Sequence, residues 1–178
     1  GLTLRQHAQF SELGFFYLLS FAVLVFAIVP VIALAFDIYP LITDQASYAL
    51  RFWPYAAAVE LFLASLALGL PYEALWRSRQ TWLGMAPVYA WAAILAVVNG
   101  PRRKPVYRVT RKVNRYAWYW RETLPQTLLF LALGAAGAYH VATRSLLFEA
   151  DLGSLFWAVF FMLGLSRVIR NGWHGVEC

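Results

Sequence analysis

Apolar residues in this chain come in long unbroken blocks, with the polar residues gathered between them. The block FFYLLSFAVLVFAIVPVIALAF, Phe15–Phe36, carries no charge and exceeds the roughly 20 residues that a helix needs to cross a bilayer. Pro30 inside it predicts a kink that neighbouring helices can absorb. A second block, Phe52–Leu70, holds one ionisable residue, Glu60. Leu124–Val141 and Leu152–Ile169 complete a set of four predicted transmembrane helices. Trp53, Trp76, Trp157 and Trp173 fall near the block ends, where amphipathic rings favour the lipid–water interface.

A fifth block, TWLGMAPVYAWAAILAVVNG (Thr81–Gly100), is long enough to span but is interrupted by Gly84 and Pro87. Charge decides its placement. Arg77 and Arg79 precede it and a dense basic run follows. Because Lys and Arg collect on the cytoplasmic side, a crossing here would strand one basic flank outside. The pattern therefore predicts an interfacial helix on the cytoplasmic face. With four spans, Arg5, the cations from Arg77 to Arg121, Arg167 and Arg170 are inside. Arg51 and Arg144 are outside, beside Asp37, Asp44, Glu149 and Asp151. Both termini are then cytoplasmic. The opening GLTLRQHAQFSELG suits a short amphipathic approach helix on that surface.

Composition agrees with the blocks. The 178 residues are 61% hydrophobic and 13% charged, with mean hydropathy +0.57, far from the quarter-charged make-up of soluble domains. The single cysteine, Cys178, excludes an internal disulfide and a Cys-rich metal site. No signal-peptide pattern opens the chain, which begins at Gly1 and is read as a piece of a longer polypeptide. The predicted fold class is an all-α integral membrane protein with four transmembrane helices, cytoplasmic interfacial helices and a cytoplasmic loop. The expected divisions are 1–14, an interfacial segment; 15–76, a first transmembrane pair with its outer loop; 77–123, the interfacial helix and basic loop; 124–170, a second transmembrane pair; and 171–178, a cytoplasmic tail.

Eight of the fifteen Lys and Arg residues lie between Gly100 and Arg121. For Arg102, Arg103 and Lys104, topology and attraction to anionic lipid are sufficient explanation. VYRVTRK, Val106–Lys112, is different: it alternates apolar and polar residues behind Pro105, so it is expected to be extended. Tyr107 and Val109 would face one way, Arg108 and Thr110 the other. Such an element cannot sit in lipid and must dock on protein or ligand. Ring and aliphatic groups suit a base, hydroxyl and cations a phosphate. Without a recognisable nucleic-acid fold, nucleic acid is not an expected partner.

Tyr107-Arg108-Val109-Thr110-Arg111-Lys112 resembles the F-x-V-T-x-K pattern of the gating loop in processive family 2 glycosyltransferases, typified by the bacterial cellulose synthase catalytic subunit. The order of elements is similar as well: two spans, an interfacial helix, the loop, two closing spans. GLTLRQHAQF looks like the segment just downstream of that family's Q-x-x-R-W motif. The chain departs from the pattern at Tyr107 in place of Phe and at Val113 where Gly is common. No cyclic-di-GMP-binding PilZ domain lies within these 178 residues, so the resemblance does not extend to regulation by that messenger. The resemblance implies a loop that closes over a UDP-sugar, with Tyr107 and Val109 near the nucleotide and Thr110 and Lys112 making polar contacts. It also implies helices that wall a channel for the growing polysaccharide, in a bacterial inner membrane, with Mg2+ or Mn2+ held beside the UDP-sugar in the full enzyme.

The chemistry itself needs carboxylates for the metal and a general base. Asp37, Asp44 and Asp151 are assigned to the outer side, and Glu12, Glu73, Glu122 and Glu177 are scattered. No catalytic residue is expected in this chain, whose partner would be an upstream glycosyltransferase domain of the same polypeptide. Glu60 has two readings: an acceptor lining the glycan channel, or a protonated or hydrogen-bonded packing residue. His7, His140 and His174 are too dispersed for a metal site and are explained by interfacial solvation. Tyr116, Trp118, Tyr119 and Trp120 suit interfacial anchoring, with sugar stacking the alternative. Gly134 and Gly137 allow close helix packing. The competing function is a stand-alone four-helix transporter or scaffold subunit, although a transporter would be expected to carry broken helices or a repeated half.

Overall fold

The computed structural model describes residues 3–39, 44–67, 69–100, 118–144 and 149–174. Among the described residues the protein is helical, with no strand. Five helices follow in order: α1 (Leu4–Phe36), α2 (Gln45–Leu66), α3 (Tyr72–Asn99), α4 (Leu124–Thr143) and α5 (Glu149–His174).

α1 is continuous from the predicted approach segment through the first apolar block. Nothing between them breaks a helix, since one Gly, Gly14, costs only about 1 kcal/mol. Thr3 and Gln6 cap its start reciprocally, Thr3 N donating to Gln6 Oε1 at 2.9 Å and Gln6 N to Thr3 Oγ1 at 3.4 Å, a capping box. Asp37 closes it in the left-handed region at φ +58° and donates its N–H to the Ala33 carbonyl.

Among the described residues, four helices are long and apolar enough to cross a membrane: Tyr17–Phe36, Tyr72–Asn99, Leu124–Thr143 and Asp151–His174. The number matches the expectation and the set does not. The predicted second span, 52–70, is not among them, and the block predicted to be interfacial, 81–100, belongs to one that is. Two physical reasons account for the exchange. α2 ends at Leu66 and is diluted by Arg51, Pro54 and Glu60. α3 runs straight through Gly84 and Pro87, gaining an N-terminal extension in which Glu73 and Arg77 pair as i, i+4 neighbours at 3.1 Å.

α1 and α5 pack along each other, and α3 and α4 lie on either side of that pair, touching one another only lightly. The core is Ala27 and Leu34 of α1, Leu83 of α3, Leu133 and Ala136 of α4, and Ala158, Phe161 and Leu165 of α5. α4 and α5 are antiparallel with their midpoints level: Gly134 faces Met162 and Gly137 faces Leu155. α1 starts, and α5 finishes, at what is called here the near end. Leu34 meets His140 at the far end, and Tyr119 N donates to Gly172 O at 2.8 Å at the near end.

α3 keeps a different register. Trp76 meets the Phe160 ring at 6.3 Å, Gln80 Nε2 donates to Leu163 O at 2.9 Å, and Gly84 lies against Val168. The pairings advance together, so α3 runs parallel to α5. Its centre, near Gly84, is level with Gln126 in the first turn of α4, whose Nε2 donates to Gly84 O at 2.7 Å. At 1.5 Å per residue, α3 is displaced by roughly 10 Å toward the near end. Only its middle is buried, from Gln80 to Ala90, and its last turns are bare, with Val97 83% exposed.

α2 lies outside this bundle. Tyr48 and Phe52 reach Trp157 of α5, the indole donating to the Tyr48 hydroxyl at 3.1 Å and the Phe52 and Trp157 rings meeting edge-on at 5.5 Å. Further along, Glu60 reaches Arg79 of α3. α2 therefore crosses the outer faces of α5 and α3 obliquely.

Candidate functional site

Tyr107, Val109, Thr110 and Lys112, the residues that carry the resemblance, lie outside the described residues. What is described is their frame. Gly100, which follows the displaced α3, and Tyr119, bonded to Gly172, both stand at the near end, with the start of α1 and the close of α5.

Glu60 is not in the bundle core. Its carboxylate oxygens accept two hydrogen bonds from the Arg79 guanidinium, at 2.5 and 2.6 Å, a bidentate pairing that the guanidinium fork favours. The Glu60 side chain is 49% exposed and that of Arg79 24%. Glu60 is thus hydrogen-bonded to Arg79, which leaves its reading as a channel-lining acceptor untouched. Nineteen residues separate the partners, so the linear pattern held no sign of the pair.

The least expected site is at the far end. His140, read from sequence as solvated at the interface, and Asp151, assigned to the outer side, are both 2% exposed. His140 stands in the last turn of α4 and Asp151 in the first turn of α5, where each helix dipole favours the charge its residue can carry. His140 Nδ1 is 3.1 Å from Leu34 O. That carbonyl is in the last turn of α1 and lacks an in-helix donor, so Nδ1 carries the proton and donates. Nε2 then faces Asp151 Oδ1 at 3.3 Å, off the line of a hydrogen bond.

Tyr39 completes the group by donating its hydroxyl hydrogen to Asp151 Oδ1. Burial, and then the hydrogen bond to Asp151 and its negative charge, push the Tyr39 phenol up to about 12. Outside this group Arg144 pairs with Asp37. At the head of α2, hydrogen bonds from Ser47 hold the Asp44 carboxyl below its ordinary range. Chemically the far end can fasten three helices. The weak sequence signal was position: a His closing one apolar block and an Asp opening the next, eleven residues apart.

Among the described residues no three His, Cys, Asp or Glu side chains come together. No family model, curated protein or solved structure matches this chain.

Proposed function

We propose that this chain is the membrane and gating-loop region of a processive glycosyltransferase that polymerises a UDP-sugar into a β-linked polysaccharide and exports it. The observation that carries the reading is the convergence at the near end. The residues bracketing 101–117, the start of α1 and the close of α5 stand on one side of the bundle. A basic loop and an upstream catalytic domain attached to α1 would then share that side. On this reading the near end faces the cytoplasm of a bacterial inner membrane. α2 with the first turns of α3 returns the chain across the bilayer, and the displaced, bare half of α3 lies in the cytoplasmic interface. Metal and catalytic carboxylates belong to the upstream domain. Tyr107 and Val109 cover the nucleotide, Thr110 and Lys112 bind it, and growing polymer passes along the helices.

The full polypeptide, purified into nanodiscs and given labelled UDP-sugars with Mg2+, tests this. Polymer is expected from one donor. Lys112→Ala is expected to cut the rate about tenfold or more, the worth of one charge-assisted hydrogen bond. Polymer formation indifferent to both Tyr107→Ala and Lys112→Ala, or a start codon within a few residues of Gly1, rejects the reading.

The buried His140–Asp151 pair favours a second reading, a small proton-coupled transporter, because intramembrane ionisable pairs mark ion pathways. Proteoliposomes holding the chain and a pH-sensitive dye would then show a proton flux that Asp151→Asn abolishes. Absence of flux removes this reading and leaves the first intact.

A further inference from the structure

At the near end, α4 and α5 leave a groove of about 260 Å³, lined by Phe130, Ser166, Ile169, Arg170, Trp173 and His174. Its volume is below the roughly 300–1,000 Å³ of pockets for drug-sized ligands, and suits the part of a lipid next to its headgroup better than a whole lipid. Helical spacing arranges the lining. Ser166, Arg170 and His174 stand at i, i+4 and i+8 in one line along α5, and Ile169 and Trp173 form the line beside it. Phe130 of α4 is the opposing wall.

Polarity is graded along the groove. Phe130 and Ser166 lie deeper in the bundle, and Trp173 and His174 lie at its rim. The Ser166 hydroxyl is already spent on Leu163 O at 2.8 Å, so that end offers mainly apolar surface. The rim holds three donors, a guanidinium, an imidazole and an indole. Among the described residues no carboxylate pairs with Arg170, and Arg167 adds a second cation on the next face. An apolar slot that opens onto unneutralised cations at a helix-bundle end has the charge and polarity of an anionic phospholipid, tail inward and phosphate outward.

We infer that the α4–α5 groove binds one anionic phospholipid of the surrounding leaflet, its phosphate on Arg170 and His174 and its first acyl methylenes against Phe130 and Ile169. The inference does not depend on the glycosyltransferase reading.

The test uses the whole chain in nanodiscs doped with phosphatidylglycerol or phosphatidylcholine brominated on the acyl chain. Quenching of Trp173 is read as the difference between the wild type and Trp173→Phe. Phosphatidylglycerol is expected to quench at several-fold lower mole fraction. Arg170→Gln should erode that preference about fivefold, the worth of one interfacial cation, and Arg5→Gln, at the same end on α1, should leave it unchanged. Equal quenching by the two lipids overturns the proposal. So does an Arg5→Gln effect equal to that of Arg170→Gln, which would make the preference one of general surface charge. Displacement by millimolar glycerol phosphate would identify the site as one for free phosphate, and also overturns it.

Discussion

Gly84 and Gly164 set how closely α3 and α5 approach. A Cβ added at Gly84 would stand 2.3 Å from Val168 Cγ2, and one at Gly164 2.6 Å from Leu83 Cδ1, so each glycine receives the other helix's side chain. Gly84→Ala is expected to destabilise the bundle by about 1–3 kcal/mol through overpacking, read as earlier thermal unfolding in detergent by circular dichroism. Val168→Ala in the same chain should recover only part of the loss, because its Cβ would still stand 2.9 Å away. Gly14→Ala, which meets nothing within 4 Å, should be neutral or stabilising, as Ala usually is inside a helix. From the sequence alone Gly134 and Gly137 announced close packing because alanines surround them, and they do face α5. Gly84 announced a break, because beside Pro87 its local chemistry says so; only the partner helix reveals it as a contact. Tyr39 gives a second test at this scale. Its folded-state pKa is raised to about 12 from an ordinary value near 10, so the folded state holds that proton more tightly. Its contribution is fully present below about pH 10 and is lost as the pH climbs toward 12. The stability difference between the wild type and Tyr39→Phe should be flat below pH 10 and shrink above it.

The α4–α5 hairpin shows what separate elements conceal from a linear reading. Its apolar stretches were evident and its antiparallel pairing follows from a short connection. The His140–Asp151 link was not evident, since a His and an Asp at block ends are ordinarily in water. The fold buries them because three helix ends meet there and α1 presents an unpaired carbonyl. Removing one partner leaves the other's polar group buried without it, so His140→Leu or Asp151→Leu alone should cost about 1–3 kcal/mol. The double variant should cost clearly less than the sum, a coupling that chemical unfolding of all four chains measures. Additive losses would mean that the two residues act separately. The Glu60–Arg79 pair makes the contrast: partly exposed, it should contribute no more than about 1 kcal/mol to the same assay. α2 and α3 are the elements in which the pattern and the fold divide the apolar residues differently. Hydropathy along a line weighs Glu60 and Pro87 as local penalties, whereas the fold neutralises the first with Arg79 and accommodates the second within a continuous helix.

For the whole molecule the question is which side of the membrane each end occupies, and the lone native thiol makes it answerable. Charge asymmetry predicted both termini and the basic loop on one face, and the described helices bring the flanks of that loop to the end where α1 begins and α5 closes. In a Cys178→Ser background, single cysteines at Thr110, Glu122, Thr143 and Val97 can be challenged with a membrane-impermeant maleimide. Right-side-out and inverted vesicles then expose opposite faces. Thr110→Cys and Glu122→Cys should react only in inverted vesicles, and Thr143→Cys, beside Arg144 at the far end, only in right-side-out ones. Val97→Cys distinguishes the two placements of α3. A helix level with α1, α4 and α5 would carry its ends to opposite faces, with Val97 close to the lipid boundary and slow to react. A helix displaced by roughly 10 Å lifts its last two turns out of the hydrocarbon, so Val97→Cys should react from the face that labels Glu122→Cys. Thr110→Cys reacting together with Thr143→Cys would put the basic segment on the wrong side for any cytoplasmic nucleotide. The helical bundle would survive that result, and the gating role would not.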